Sequence, residues 1–209
     1  SVNNCPVCSI LMAWGNDAQK KAWLEPLARG DMLGAFCLTE PHVGSEAGGL
    51  RTTAVRDGSD YVLNGVKQFI TSGKNGDVAI VMAVTDRSAG KKGISAFIVP
   101  TATPGYTVAR IEDKMGQHAS DTAQILFENC RVPTANLLVE EGMGLKVALS
   151  GLEGGRINIV PVDFVVDALD HISHHKRASG QCFHLVDPMG YRVGDVLDIF
   201  SKAAHAPKM

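Results

Sequence analysis

The run Thr52-Thr53-Ala54-Val55-Arg56-Asp57-Gly58-Ser59-Asp60-Tyr61-Val62-Leu63-Asn64-Gly65-Val66-Lys67-Gln68-Phe69-Ile70-Thr71 decides the fold class. Two stretches rich in β-branched and aromatic residues flank Asp57-Gly58, a pair suited to the positive backbone angles of a tight hairpin turn. Asn64-Gly65 repeats the signal and predicts a second turn before a strand at 66–71. Outward from this block, short apolar runs recur at 32–38, 78–85, 94–99, 106–111 and 124–132, each punctuated by Gly, Pro, Asp or Asn. Seven or eight short strands at this spacing predict a β-barrel or sandwich rather than alternating βαβ units.

Helical spacing frames the strands on both sides. Residues 1–30 read as two helices. Ile10, Leu11 and Trp14 share one apolar face, Asn16 or Asp17 caps a second helix, and Gly30 stops it. Pro26 inside that second helix predicts a kink or a shortened helix. Residues 143–157 return to helical spacing through Leu145, Ala148, Leu149 and Leu152. The fold class is therefore α+β, with a helical segment at 1–31, a β-domain at 32–140 and the start of a further helical part at 141–158.

The most informative chemistry lies at Phe36-Cys37-Leu38-Thr39-Glu40-Pro41-His42-Val43-Gly44-Ser45-Glu46. A strand ends there in a glycine-containing loop that carries hydroxyls and backbone N–H groups. Such a loop can bond the edge of a planar heterocycle and let a pyrophosphate come close. On spacing alone, a surface turn that contains Thr and Ser is the simpler reading.

The segment resembles the signature of the acyl-CoA dehydrogenases: an aromatic residue, two positions, Thr-Glu-Pro, two more, then Gly-Ser. Asn64-Gly65-Val66-Lys67-Gln68-Phe69-Ile70-Thr71-Ser72-Gly73 resembles that family's second flavin segment. Gly93-Ile94-Ser95-Ala96-Phe97-Ile98-Val99, Gly116-Gln117-His118-Ala119-Ser120-Asp121-Thr122 and Phe127-Glu128-Asn129-Cys130-Arg131-Val132-Pro133 follow in the family's order. The resemblance implies a middle β-domain that binds FAD and an acyl-CoA thioester. By position it implies that the backbones of Phe36 and Leu38, with the Thr39 hydroxyl, contact the flavin edge. Gly44 and Ser45 would lie by the pyrophosphate and the pantetheine arm, and Phe69 would cover one ring face. Ile70 and Thr71 would bond the flavin through backbone and hydroxyl. Glu153 and Arg156, in Leu152-Glu153-Gly154-Gly155-Arg156, would face the thioester arm; an i,i+3 surface ion pair explains the same spacing.

The family's reaction removes the α-proton with a carboxylate while the β-hydrogen leaves as hydride to the flavin. In one branch that base stands immediately before the helix arginine, where this chain has Gly155; in the other it lies in a helical domain well beyond residue 209. The expectation is thus a truncated dehydrogenase without a catalytic residue of its own, or an inactive flavin- or CoA-binding remnant; a plain β-barrel interaction domain is a third reading. The resemblance also implies an electron-transfer flavoprotein-like acceptor and a homo-oligomer.

Residues 159–209 change texture and carry five of the seven histidines. They resemble the distal part of an extended short-chain dehydrogenase or thioester reductase. That group's Tyr-x-x-x-Lys is missing, because Asp195 stands four positions after Tyr191, so a rearranged α/β tail of different origin is expected. Cys5-Pro6-Val7-Cys8 reads as helix-packing cysteines, and His171, His174 and His175 as a polar helix end rather than a metal site.

Composition narrows the remaining classes. A length of 209 residues buries roughly 70% of the unfolded surface, enough for a core without metals or disulfides. A net charge of -2 offers no basic stripe for nucleic acid. No stretch reaches the roughly 18 apolar residues of a membrane span. Five cysteines and a start, Ser1-Val2-Asn3-Asn4, unlike a signal peptide predict a reducing compartment and a cytoplasmic protein, with the chain cut short at its N-terminus.

Overall fold

The computed structural model describes residues 4–156, with side chains through Leu152. The predicted elements at 159–209, the boundary before them and the histidines at 171–175 lie outside the described residues. No described helix is long and apolar enough to cross a membrane.

Helix α1 (Asn4–Trp14) buries Val7, Ile10 and Leu11. Of the two candidate caps, Asn16 is the one used. Its Oδ1 accepts from the Gln19 N–H at 2.9 Å, and the Gln19 Oε1 accepts from the Asn16 N–H at 3.1 Å. This reciprocal cap starts α2 (Asp17–Gln19). The chain then widens into a π-type turn over Lys20–Leu24 before α3 (Glu25–Arg29), with Pro26 in the first turn of α3. Pro26 has no N–H to donate backward, so the chain relaxes by a wide turn just before it rather than by a sharp kink. Gly30 ends α3 at φ 83°, where its N–H and that of Asp31 cap the Leu27 and Pro26 carbonyls. Asn16→Ala is expected to cost about 1 kcal/mol in urea unfolding, the loss of one cap.

Among the described residues, seven strands form one sheet: β1 (Gly34–Cys37), β2 (Thr53–Asp57), β3 (Asp60–Thr71), β4 (Val78–Val84), β5 (Ile94–Pro100), β6 (Tyr106–Ile111) and β7 (Thr122–Pro133). The order is β1-β4-β2-β3-β7-β6, with β5 also paired to β4. Most neighbours are antiparallel, but β1 and β2 run parallel to β4. The sheet curls on itself, because inward side chains of β1, β4 and β5 share one core with those of β3 and β7. Phe97 and Val99 meet Tyr61, Leu63, Ile125 and Phe127 there. On the outer face of β4 and β5, Val78, Ile80, Met82, Ile94 and Ile98 pack with Val7, Ile10, Leu11 and Leu27. Strand β4 is thus covered on both faces, which is why its sequence is an unbroken apolar run.

Helix α4 (Gly144–Arg156) completes the described chain and adds Val147 and Ala148 to the outer core. It starts close against β5: a Cβ on Gly144 would stand 2.5 Å from the Ser95 carbonyl carbon. The Trp14 indole donates to the Ser150 hydroxyl at 2.8 Å, tying α1 to α4.

The predicted hairpin at Asp57-Gly58 is present, joining β2 and β3. The turn predicted at Asn64-Gly65 is not, because β3 runs straight through it. A Cβ on Gly65 would stand 2.5 Å from the Thr52 Oγ1, so this glycine admits a close crossing of β2 instead of reversing the chain. Register slips there by one residue, taken up on β7 by Asn129 at φ 49°.

Candidate functional site

Beyond Cys37 the chain leaves the sheet as Leu38-Thr39-Glu40 and reverses through Pro41 and His42. The turn is closed by two backbone bonds of 3.0 Å between Glu40 and Val43. Proline at its second position presets the backbone. Strand β3 passes beside this segment and grips it. The Lys67 ammonium donates to the Leu38 carbonyl at 3.1 Å and to the Glu40 Oε1 at 2.8 Å. Between them, the Gln68 N–H donates to the Thr39 carbonyl at 2.9 Å. Three consecutive residues of the loop therefore accept bonds from two consecutive residues of β3.

The far side of Glu40 is held as well. Its carboxylate accepts from the backbone N–H of Arg51 at 2.7 Å and of Thr52 at 3.0 Å, and the His42 Nε2 lies 3.6 Å away. The side chains of Lys67 and Glu40 are 0% and 1% exposed. Burial pushes the Lys67 ammonium below its ordinary range, and Glu40 only partly offsets this. Burial pushes the Glu40 carboxyl up, but Lys67 and the Arg51 amide outweigh it and hold the group below the usual carboxylate range. Burial raises the neighbouring Cys37 thiol to about 12, so it stays protonated and unreactive.

Immediately after the grip, β3 bulges. Between Lys67, opposite Ile125, and Ile70, opposite Ala123, it spends three steps against two of β7. Phe69 occupies the bulge at φ 58° and is 62% exposed. A left-handed backbone is uncommon for a bulky aromatic residue and costs on the order of 1 kcal/mol or more. Gln68 turns the other way and is buried, its amide donating to Glu112 and its carbonyl accepting from Gln124 at 2.5 Å. Ile70 returns to the inner core, and Thr71 is half-buried.

The structure thus joins Leu38 and Thr39 to the segment Phe69-Ile70-Thr71 through one clamp. Phe36 sits on β1 opposite Ile80, its ring against the helix-facing core, so only its backbone is placed to serve a ligand. Gly44 and Ser45 are exposed past the turn and outside the clamp, and the space around Gly44 is open. The side chains of Glu153 and Arg156 lie outside those described. Cys8 packs against the outer core as a helix-packing cysteine should, whereas Cys5 is exposed and does not pack.

The clamp residues Glu40, Lys67 and Gln68 were not among the site residues read from sequence. The signal was available in the two-residue period of β3, where Tyr61, Leu63 and Lys67 fall on one inward face. A lysine at such a position needs an acid, and Glu40 is the acid of the neighbouring motif.

Residues 35–130 match the family model described as "Acyl-CoA dehydrogenase, middle domain". The rat mitochondrial short-chain specific acyl-CoA dehydrogenase is 48% identical over 159 residues, which is 76% of this chain and 39% of that protein. Among solved structures, butyryl-CoA dehydrogenase from Megasphaera elsdenii superposes with TM-score 0.70 at 45% identity, covering 73% of this chain and 41% of that one. A Mycobacterium smegmatis glutaryl-CoA dehydrogenase in complex with FADH2 superposes with TM-score 0.68 at 42% identity, over 74% and 39%. The chain spans about two fifths of the length of these relatives. It belongs to the acyl-CoA dehydrogenase family, with residues 35–130 as the middle domain.

Proposed function

We propose that the chain carries the flavin-binding and thioester-binding β-domain of an FAD-dependent acyl-CoA dehydrogenase, acting in the α,β-dehydrogenation of an acyl-CoA to its 2,3-enoyl product. The observation that carries this reading is the clamp. It sets the half-buried Thr39 beside a bulge whose aromatic residue, Phe69, is held out in solvent at a conformational cost. An exposed ring two residues before Thr71, on a strand whose preceding residue bonds the Thr39 backbone, fits a planar heterocycle with a polar edge. When bound, FAD supplies the two-electron acceptor for the hydride that leaves the substrate.

Within that reading, Thr39, Thr71 and the Ile70 backbone bond the polar edge of the ring system, and Phe69 covers a face. Lys67 occupies the Leu38 carbonyl, so Leu38 contributes its N–H. Hydrogen bonds at the edge favour an electron-rich ring and raise its acceptor strength. Gly44 and Ser45 serve the pyrophosphate and the pantetheine arm, where the open backbone at Gly44 admits close approach. Glu153 and Arg156 address the thioester arm, an electron-transfer flavoprotein-like protein takes the electrons, and the full assembly is a homo-oligomer. Free Cys5, Cys8, Cys37 and Cys130 fit a reducing compartment, in this reading the cytoplasm.

A second reading, a domain that holds flavin or CoA without performing the chemistry, is favoured by Gly155 at the position of one branch's carboxylate. Anaerobic addition of butyryl-CoA to the FAD-reconstituted chain separates the two. Bleaching of the flavin band is expected if the chain dehydrogenates. Bound but unreduced flavin selects the second reading, and no uptake of FAD at all rejects the first reading and the flavin-holding form of the second.

A further inference from the structure

Lys67 is fully buried, and no chemical step of the dehydrogenation uses it. Its position on β3 is inward, between strands packed with Val, Ile and Leu, where an apolar residue meets every requirement of the core. A buried ion pair is a poor way to gain stability, because desolvating two charges roughly cancels their attraction. What the pair does supply is geometry. One ammonium reaches the Leu38 carbonyl and the Glu40 carboxylate, on either side of Thr39, while the next residue, Gln68, takes the Thr39 carbonyl itself. The bulge that displays Phe69 begins at the following residue. Glu40 is fixed from behind by the Arg51 and Thr52 amides, so the loop cannot slide with its partner.

We propose that Lys67 is a positioning residue that, through Glu40 and the Leu38 carbonyl, locks the Thr39 loop to the Phe69–Thr71 bulge so that both strands meet the flavin as one preorganised edge. The proposal rests on the flavin-binding reading above. Lys67 touches no ligand. Its contribution is that the order of the two segments is established during folding and not at the expense of binding, which is the general route by which preorganisation strengthens a complex.

The test compares Lys67→Met alone with the pair Lys67→Met/Glu40→Leu, which removes both charges. Three quantities are read in each: the urea midpoint of the FAD-free chain, the Kd for FAD, and hydrogen exchange of the Gln68 amide. The single variant is expected to lose stability, because Glu40 is left buried without its partner. The pair is expected to regain part of that loss, the remainder reflecting the Arg51 and Thr52 amides and the Leu38 carbonyl left without these partners. In the pair, FAD binding is still weakened about tenfold or more, and Gln68 exchange is faster by a similar factor while the β4 and β5 amides keep their protection. Recovery of both FAD affinity and Gln68 protection along with stability overturns the proposal, since Lys67 then only fills the core. Unchanged Gln68 protection in the pair overturns it as well, whatever FAD does. Failure of the wild-type chain to take up FAD, with Gln68 loosened in the pair, rejects the flavin reading and upholds the lock. Should the pair not fold, Lys67→Gln/Glu40→Gln, whose shorter side chain cannot span both acceptors, is read against the same outcomes.

Discussion

Phe97→Ala is expected to lower the unfolding free energy by about 3–5 kcal/mol, the range for truncating a large aromatic side chain in a close-packed core. Phe97 is fully buried at the middle of β5, where its ring meets Tyr61 of β3 with centroids 4.9 Å apart at 59°. The ring is therefore a pin between the two walls of the curled sheet, one built on β4 and β5 and the other on β3 and β7. The surroundings have little freedom to collapse. Ala79, Val81, Ala83 and Val99 around it are small and set by strand register, so the void persists. Tyr61 also loses a tilted aromatic contact, of a kind worth roughly 0.5–1.5 kcal/mol. Urea unfolding followed by far-UV circular dichroism gives the number, with Phe97→Leu as the smaller control. A loss below about 1.5 kcal/mol, the usual ceiling for volume-conserving swaps, would show that the walls are not pinned through this ring.

The strands were legible because their chemistry is local. The run at 78–84 is apolar at every position and becomes β4, covered on both faces; Asp57-Gly58 is a turn and makes one; Asn16 is a cap and caps. The misreading at Asn64-Gly65 came from a contact distant in sequence, the approach of Thr52, which makes glycine necessary for a crossing rather than a turn. Pro26 was expected to kink or shorten its helix; the run is broken into short pieces, with a wide turn ahead of the proline absorbing the missing donor. Of the candidate site, Thr39, Phe69 and Thr71 were readable through motif order, since each belongs to a short segment with a recognisable spacing. Lys67 and Glu40 stand within those same segments. Their coupling spans 27 positions: the period of β3 marks Lys67 as inward, but that Glu40 is the acid it meets follows only from the fold.

Glu40→Gln tests that coupling through pH. At neutral pH the variant is expected to be about 3–5 kcal/mol less stable than wild type, because Lys67 stays buried and charged without its counter-charge. The deficit should then shrink on both sides of neutrality, for separate reasons. On the acid side, the folded-state carboxyl of Glu40 lies below its unfolded value of about 4.3. Its contribution is fully present above that unfolded value and is lost as pH falls through the lower folded one. Wild type forfeits this stability below about pH 4, whereas the amide of the variant does not titrate and has nothing to forfeit, so the two acid limbs converge. On the alkaline side, burial lowers the Lys67 ammonium in the folded state. Between that lowered value and the unfolded value of about 10.4, the unfolded chain binds the extra proton, so stability rises with pH. Without the Glu40 carboxylate the folded-state value drops further, the window opens at lower pH, and the variant recovers sooner than wild type. A neutral amine beside the carbonyl of the substituted amide is also a satisfied pair rather than a stranded charge. Urea unfolding at pH 3.5, 5, 7 and 9 should therefore trace a deficit that is greatest near neutrality. A difference that stays flat across that range would mean the two side chains are not electrostatically coupled, and the grip on Thr39 would have to come from the Gln68 backbone bond alone.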